Sequence, residues 1–84
     1  MKLYKVWQDT IHGYDTFSDM VVCARSAEAA RCMHPYDKKY PDLDNWTEAP
    51  NTWCHTAAEA IVEYLGEAKN GLLPGVICTA FHAG

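Results

Sequence analysis

Met20-Val21-Val22-Cys23-Ala24-Arg25-Ser26-Ala27-Glu28-Ala29-Ala30-Arg31 is the stretch that decides the fold. Its first five residues are a compact apolar run bounded by polar residues, which reads as a strand. Ser26 then suits a helix N-cap, because its hydroxyl can accept from the amides of the first turn. Glu28 lies where the helix dipole favours an acid, and the alanines and Arg31 are good helix formers. Pro35 stops the helix and pushes His34 out of the α region. The helix is therefore only about two turns long, with Ala27, Ala30 and, at its end, Met33 facing the sheet.

Working outward, Lys2-Leu3-Tyr4-Lys5-Val6-Trp7-Gln8 is rich in β-formers and partly alternates apolar with polar, so it predicts a first strand paired with the second. Asp9 to Ser18 holds Gly13, Asp15 and Ser18 and reads as a turn or loop. From Tyr36 to Trp53 neither a period of 2 nor one of 3.6 fits, and the segment at about 36–55 reads as a long acidic and aromatic loop. Residues 56–68 are ambiguous. Thr56-Ala57-Ala58-Glu59 is a capping box, and Ala57, Ile61, Leu65 and Ala68 would line one helix face. Ala60, Val62 and Tyr64 instead alternate like a strand, and Gly66 would cost a helix interior roughly 1 kcal/mol. The reading taken is a helical turn at 56–59 and a strand at about 60–66. Asn70-Gly71 and Pro74-Gly75 mark a turn, and Val76 to Phe81 is the last strand. The expected fold is α+β: one domain over 1–84, a four-stranded, mainly antiparallel sheet in the order β-β-α-β-β, with one short helix across one face.

The composition narrows the function. Half of the 84 residues are hydrophobic and a fifth are charged, so the chain is globular. No apolar run is long enough to cross a bilayer. Lys5, Gln8 and Asp9 interrupt any leader-like core after Met1-Lys2-Leu3, which predicts a chain that begins at Met1 and resides in the cytoplasm. Cys23, Cys32, Cys54 and Cys78 form no C-x-x-C pair, so free thiols are expected. The net charge of −4 is unevenly spread. Residues 1–39 carry five acids and six bases, whereas residues 40–68 carry six acids and no base. An acidic surface repels phosphate backbones, so a basic protein is the expected partner rather than nucleic acid itself.

Several stretches resemble short proteins encoded by tailed phages and prophages. They are Tyr14-Asp15-Thr16 before Val21-Val22, Ser26 to Arg31 leading into His34-Pro35, Val62 to Ala68, and Gly75-Val76-Ile77 with Ala83-Gly84. The resemblance implies a phage context and a host cytosol. It also implies a protein that binds a host protein and blocks it, the class to which anti-CRISPR and other anti-defence proteins belong. It transfers no functional residue.

Four constellations bear on chemistry. Cys32-Met33-His34 and Cys54-His55, with Cys23, Cys78, His12 and His82 in reserve, offer zinc ligands, but their spacing is not that of a closed zinc site. Cysteine, histidine and aspartate are all present for a nucleophilic triad, but no signature surrounds any cysteine, and so short a chain has little room for a substrate pocket. The five glycines make no phosphate-binding loop. These three considerations predict a non-enzymatic protein without metal or cofactor. The fourth is an acidic and aromatic cluster. Asp42, Asp44 and Glu48 flank Trp46, with Trp53 after them, and Glu59, Glu63 and Glu67 recur every four residues. That spacing puts the three glutamates on one face of either a helix or a strand. Aromatic anchors rimmed by charge suit an interface; the competing reading is a solvated surface with the tryptophans packing the loop onto the core. The function expected is inhibition of a host protein or nucleoprotein complex, such as a CRISPR effector, through an acidic face that occludes a basic, nucleic-acid-binding surface. The alternatives are a structural or housekeeping phage protein that forms a homodimer through a free strand edge, and a zinc-binding module.

Overall fold

The computed structural model describes residues 1–11, 16–35, 53–54 and 56–82. Strands β1 (Lys2–Trp7) and β2 (Thr16–Ala24) come first, followed by the short helix α1 (Ala27–Arg31). A 3-10 turn (Ala57–Glu59) then leads into β3 (Ile61–Glu67) and β4 (Gly75–His82). The strands form one antiparallel sheet in the order β3-β1-β2-β4. The α+β architecture and its β-β-α-β-β order are those expected from the sequence.

β1 supplies the core through its alternation. Tyr4 and Val6 lie opposite Val22 and Met20 on β2, and all four are buried, with Val6 and Val22 completely so. Phe17, Ala24, Ala30, Trp53, Cys54, Ala57 and Ala60 complete the cluster. One face of the sheet is thus covered by α1, by the 3-10 turn and by the Trp53-Cys54 segment. Leu3, Lys5 and Trp7 alternate onto the other face, which stays partly open among the described residues.

α1 begins as its sequence demands. The Ser26 Oγ accepts from the Ala29 amide at 3.1 Å, Glu28 occupies the first turn and Arg31 the last. Ala30 is buried, but Ala27 is exposed, contrary to expectation. Burial increases along the segment to His34 and Pro35, so the helix leans into the sheet at its C-terminal end only.

Two further departures are instructive. β2 starts at Thr16, within the stretch read as a loop. Thr16 pairs with His82 and Phe17 with Phe81, whose rings lie 4.7 Å apart. Ser18, a turn-former in isolation, falls where the β2–β4 register shifts between Phe17 and Asp19, so its loop-like character serves a β-bulge. The capping box at Thr56 starts no long helix. The Glu59 carboxylate accepts from the Thr56 amide at 3.1 Å, and Ala60 then turns extended at φ −79°, ψ 140°. Gly66, at φ 156°, follows a register shift in β3, a place that suits glycine.

Gln8 closes the β1–β2 end from inside. Its Nε2 donates to the carbonyls of Ile11 (2.7 Å) and Phe17 (3.0 Å). Its Oε1 accepts from the amides of Thr10 (2.9 Å) and Ile11 (2.8 Å). Removing a buried amide strands several backbone groups, whereas removing an exposed cap strands one. In urea titrations we expect Gln8→Ala to cost about 2 kcal/mol or more and Ser26→Ala about 1 kcal/mol.

Candidate binding surfaces

The predicted site residues divide into three groups. Asp42, Asp44, Trp46 and Glu48 lie outside the described residues. Trp53 is 1% exposed and belongs to the core; its Nε1 has no hydrogen-bond partner among the described residues. It therefore packs the following segment onto the sheet and is not an accessible anchor for a partner, the competing reading of this tryptophan. Glu59, Glu63 and Glu67 are all exposed.

These three glutamates do not form a single-faced stripe. Up to Tyr64, β3 pairs residue for residue with β1, Glu63 lying opposite Lys5 and Tyr64 opposite Tyr4. The register then shifts, and Gly66 opposes Leu3 while Glu67 opposes Lys2. Leu65 is the extra residue. Cross-strand partners share a face, so Glu63 joins Lys5 on the open face and Glu67 joins Lys2 and Tyr4 on the covered face. The even spacing that predicted a shared face assumes an unbroken alternation, and the bulge breaks it. Tyr64 confirms the geometry: its ring meets Tyr4 edge-on at 5.9 Å, and its hydroxyl donates to the Glu67 Oε2 at 2.7 Å. The glutamates instead flank the outer edge of the sheet, one on each side of β3, with Glu59 just before it.

Sequence reasoning missed the open face. Lys5 sits at its centre, with its Nζ 3.8 Å from the Asp19 carboxylate and 5.3 Å from the centre of the Trp7 ring. Beside this pair, Val21, Cys78 and Ala80 line a shallow groove of about 240 Å³. The available signal was that β1 is apolar on both faces, with Leu3 and Trp7 on one and Tyr4 and Val6 on the other.

Among the described residues, three titratable groups are displaced from their ordinary values. Burial lowers His34 to about 4, so the imidazole is neutral at pH 7. Burial, and after it the negative charge of Glu59, push Cys54 up to about 12, which makes it an inert thiol rather than a thiolate nucleophile. The hydrogen bond to Glu67 raises Tyr64. Cys23, Cys32, Cys54 and Cys78 are free thiols. Cys23 and Cys54 are buried and Cys78 is exposed. Among the described residues no three His, Cys, Asp or Glu side chains are grouped to hold a metal ion, and His12 and His55 lie outside them. No helix of the described residues is long and apolar enough to cross a membrane.

Comparison with known proteins found no matching family model, no matching curated protein and no matching solved structure.

Two measurements test the buried groups. Between about pH 6.5 and pH 4 the unfolded chain binds a proton at His34 that the folded chain does not, so stability falls as pH is lowered through that window. We expect a loss on the order of 3 kcal/mol, reduced in His34→Gln, read from urea midpoints at each pH. In a thiol-reagent assay of the native chain Cys78 should react first, Cys32 more slowly, and Cys23 and Cys54 only on unfolding. Denatured, unreduced protein should titrate close to four thiols.

Proposed function

We propose that the chain is a non-enzymatic, phage-type protein that binds a host protein in the host cytosol and inhibits it. In its sharpest form it is an anti-CRISPR-like inhibitor whose acidic side occupies a basic, nucleic-acid-binding surface. The observation that carries this reading is the absence of any base from residue 40 to residue 68, together with the exposure of Glu59, Glu63 and Glu67 along the β3 edge. A partner that straddles an edge strand reaches side chains on both of its faces. The alternating placement of Glu63 and Glu67 is therefore compatible with one cationic groove that grips the edge from above and below. Competition is the mechanism: carboxylates replace phosphates opposite Lys and Arg of the host protein. Asp42, Asp44, Trp46 and Glu48 extend the same acidic run in sequence. Trp53 takes no direct part, because it is buried.

The test is capture from host lysate on the immobilised chain, followed by binding measurements on what is retained. Binding should weaken with added salt, since screening weakens both steering and contact between exposed charges. Glu63→Lys combined with Glu67→Lys should weaken it roughly tenfold or more, about 1.4 kcal/mol, while the thermal midpoint moves little. Trp46→Ala separates anchor from core. An interface hot spot loses about 2 kcal/mol or more of binding, whereas a core residue lowers the melting temperature. Charge-reversed protein that binds as tightly as the parent at low salt would sink the reading, as would a retained partner without a basic docking surface.

A further inference from the structure

We propose that the outer edge of β4, which pairs with no other strand among the described residues, is a self-association surface, on which β4 of a second copy of this chain pairs antiparallel and extends the sheet from four strands to eight. This rests on the edge opposite the acidic one and is independent of the proposed host target.

The sheet order leaves two strands at its edges, β3 and β4, and they are guarded very differently. β3 carries Glu63 and Glu67 and is bent by the bulge at Leu65; inserted charges and bulges are the common devices against edge pairing. β4 has neither over its last half. From Asn70 to Gly84 the sequence contains no Asp, Glu, Lys or Arg. The one irregularity on β4 lies at Ile77, between Val76 opposite Val22 and Cys78 opposite Val21, so Cys78 to His82 is an unbroken run of strand. Next to this neutral edge the chain exposes Leu73 (80%), Ile77 (48%) and Phe81 (44%).

Charge selects the occupant. Two copies of a chain of net charge −4 repel one another at most orientations, and a contact through the uncharged β4 edge keeps their acidic β3 edges farthest apart. A basic partner has the opposite preference, because β4 offers no carboxylate to hold it. Self-pairing also satisfies symmetry. A two-fold axis normal to the sheet keeps each face on its own side, so Cys78 and Ala80 of one copy meet the same open-face row of the other, and Thr79 and Phe81 meet the covered-face row. Every outward amide and carbonyl of the Cys78–His82 run then gains a partner.

Sedimentation equilibrium of the full chain tests this, from low micromolar to millimolar concentration, in reducing buffer so that a Cys78 disulfide cannot supply the dimer. The parent should approach twice its monomer mass of 9.4 kDa as concentration rises. Ala80→Lys places a cation across from its own copy and beside Asp19 of its own chain. It should raise the dimer dissociation constant roughly tenfold or more while the far-ultraviolet spectrum and melting temperature stay near those of the parent. Ile77→Lys, at an exposed bulge, gives the same readout should Ala80→Lys fail to fold. A parent that stays monomeric throughout would overturn the proposal, as would folded lysine variants that dimerise as tightly as the parent.

Discussion

β1 is hydrogen-bonded on both sides, to β2 and to β3, and β4 joins the sheet through β2. The register of β1 against β2 sets Tyr4 beside Val22 and Val6 beside Met20, the layer on which α1, Trp53 and the 3-10 turn close. Its register against β3 decides which glutamates face which side. Because side chains alternate with a period of two, one inserted residue reverses everything beyond it. Leu65 is that residue, and Glu67 changes face because of it.

The parts legible in the sequence are those fixed by local chemistry. Ser26 and Pro35 bracket α1 because capping and the missing proline amide act within one turn. The final strand was legible because Val76 to Phe81 is a continuous run of β-formers between a Pro-Gly pair and the chain end. Residues 60–66 read as a strand because Gly66 and the alternation of Ala60, Val62 and Tyr64 opposed the capping box, and β3 at Ile61–Glu67 follows that balance.

What stayed illegible depends on partners distant in sequence. Thr16 and Phe17 look like the end of a loop until His82 and Phe81 are placed opposite them. Ala27 satisfies the helical spacing, but the tilt of α1 lifts it out of the sheet. Of the acidic cluster, Glu59, Glu63 and Glu67 are exposed, while Asp42, Asp44 and Glu48 lie outside the described residues. Its arrangement was not readable, since Trp53 went to the core and a bulge separated Glu63 from Glu67. The open face escaped notice because Leu3 and Trp7 look like noise in the alternation of β1 when only one buried face is assumed.

The same bulge that divides the glutamates explains how one small sheet can hold two dissimilar edges. An open four-stranded sheet must end twice, and each end exposes unpaired amides and carbonyls. On β3 the chain places charges on both sides of the edge and a kink between them, which discourages any strand from adding there while leaving carboxylates exposed. The connection from β3 to β4 then crosses the end of the sheet, with the Ala68 amide donating to the Met1 carbonyl at 3.1 Å and the Leu72 carbonyl 4.0 Å from the Cys23 sulfur. That crossing delivers β4 to the far side of β2, where no described residue carries a formal charge beyond the connection's Lys69. Among the described residues the two edge strands thus differ in charge, with Glu63 and Glu67 on β3 and no Asp, Glu, Lys or Arg on β4. The two contacts proposed above, a cationic surface at β3 and an uncharged strand at β4, would lie at opposite edges of this sheet.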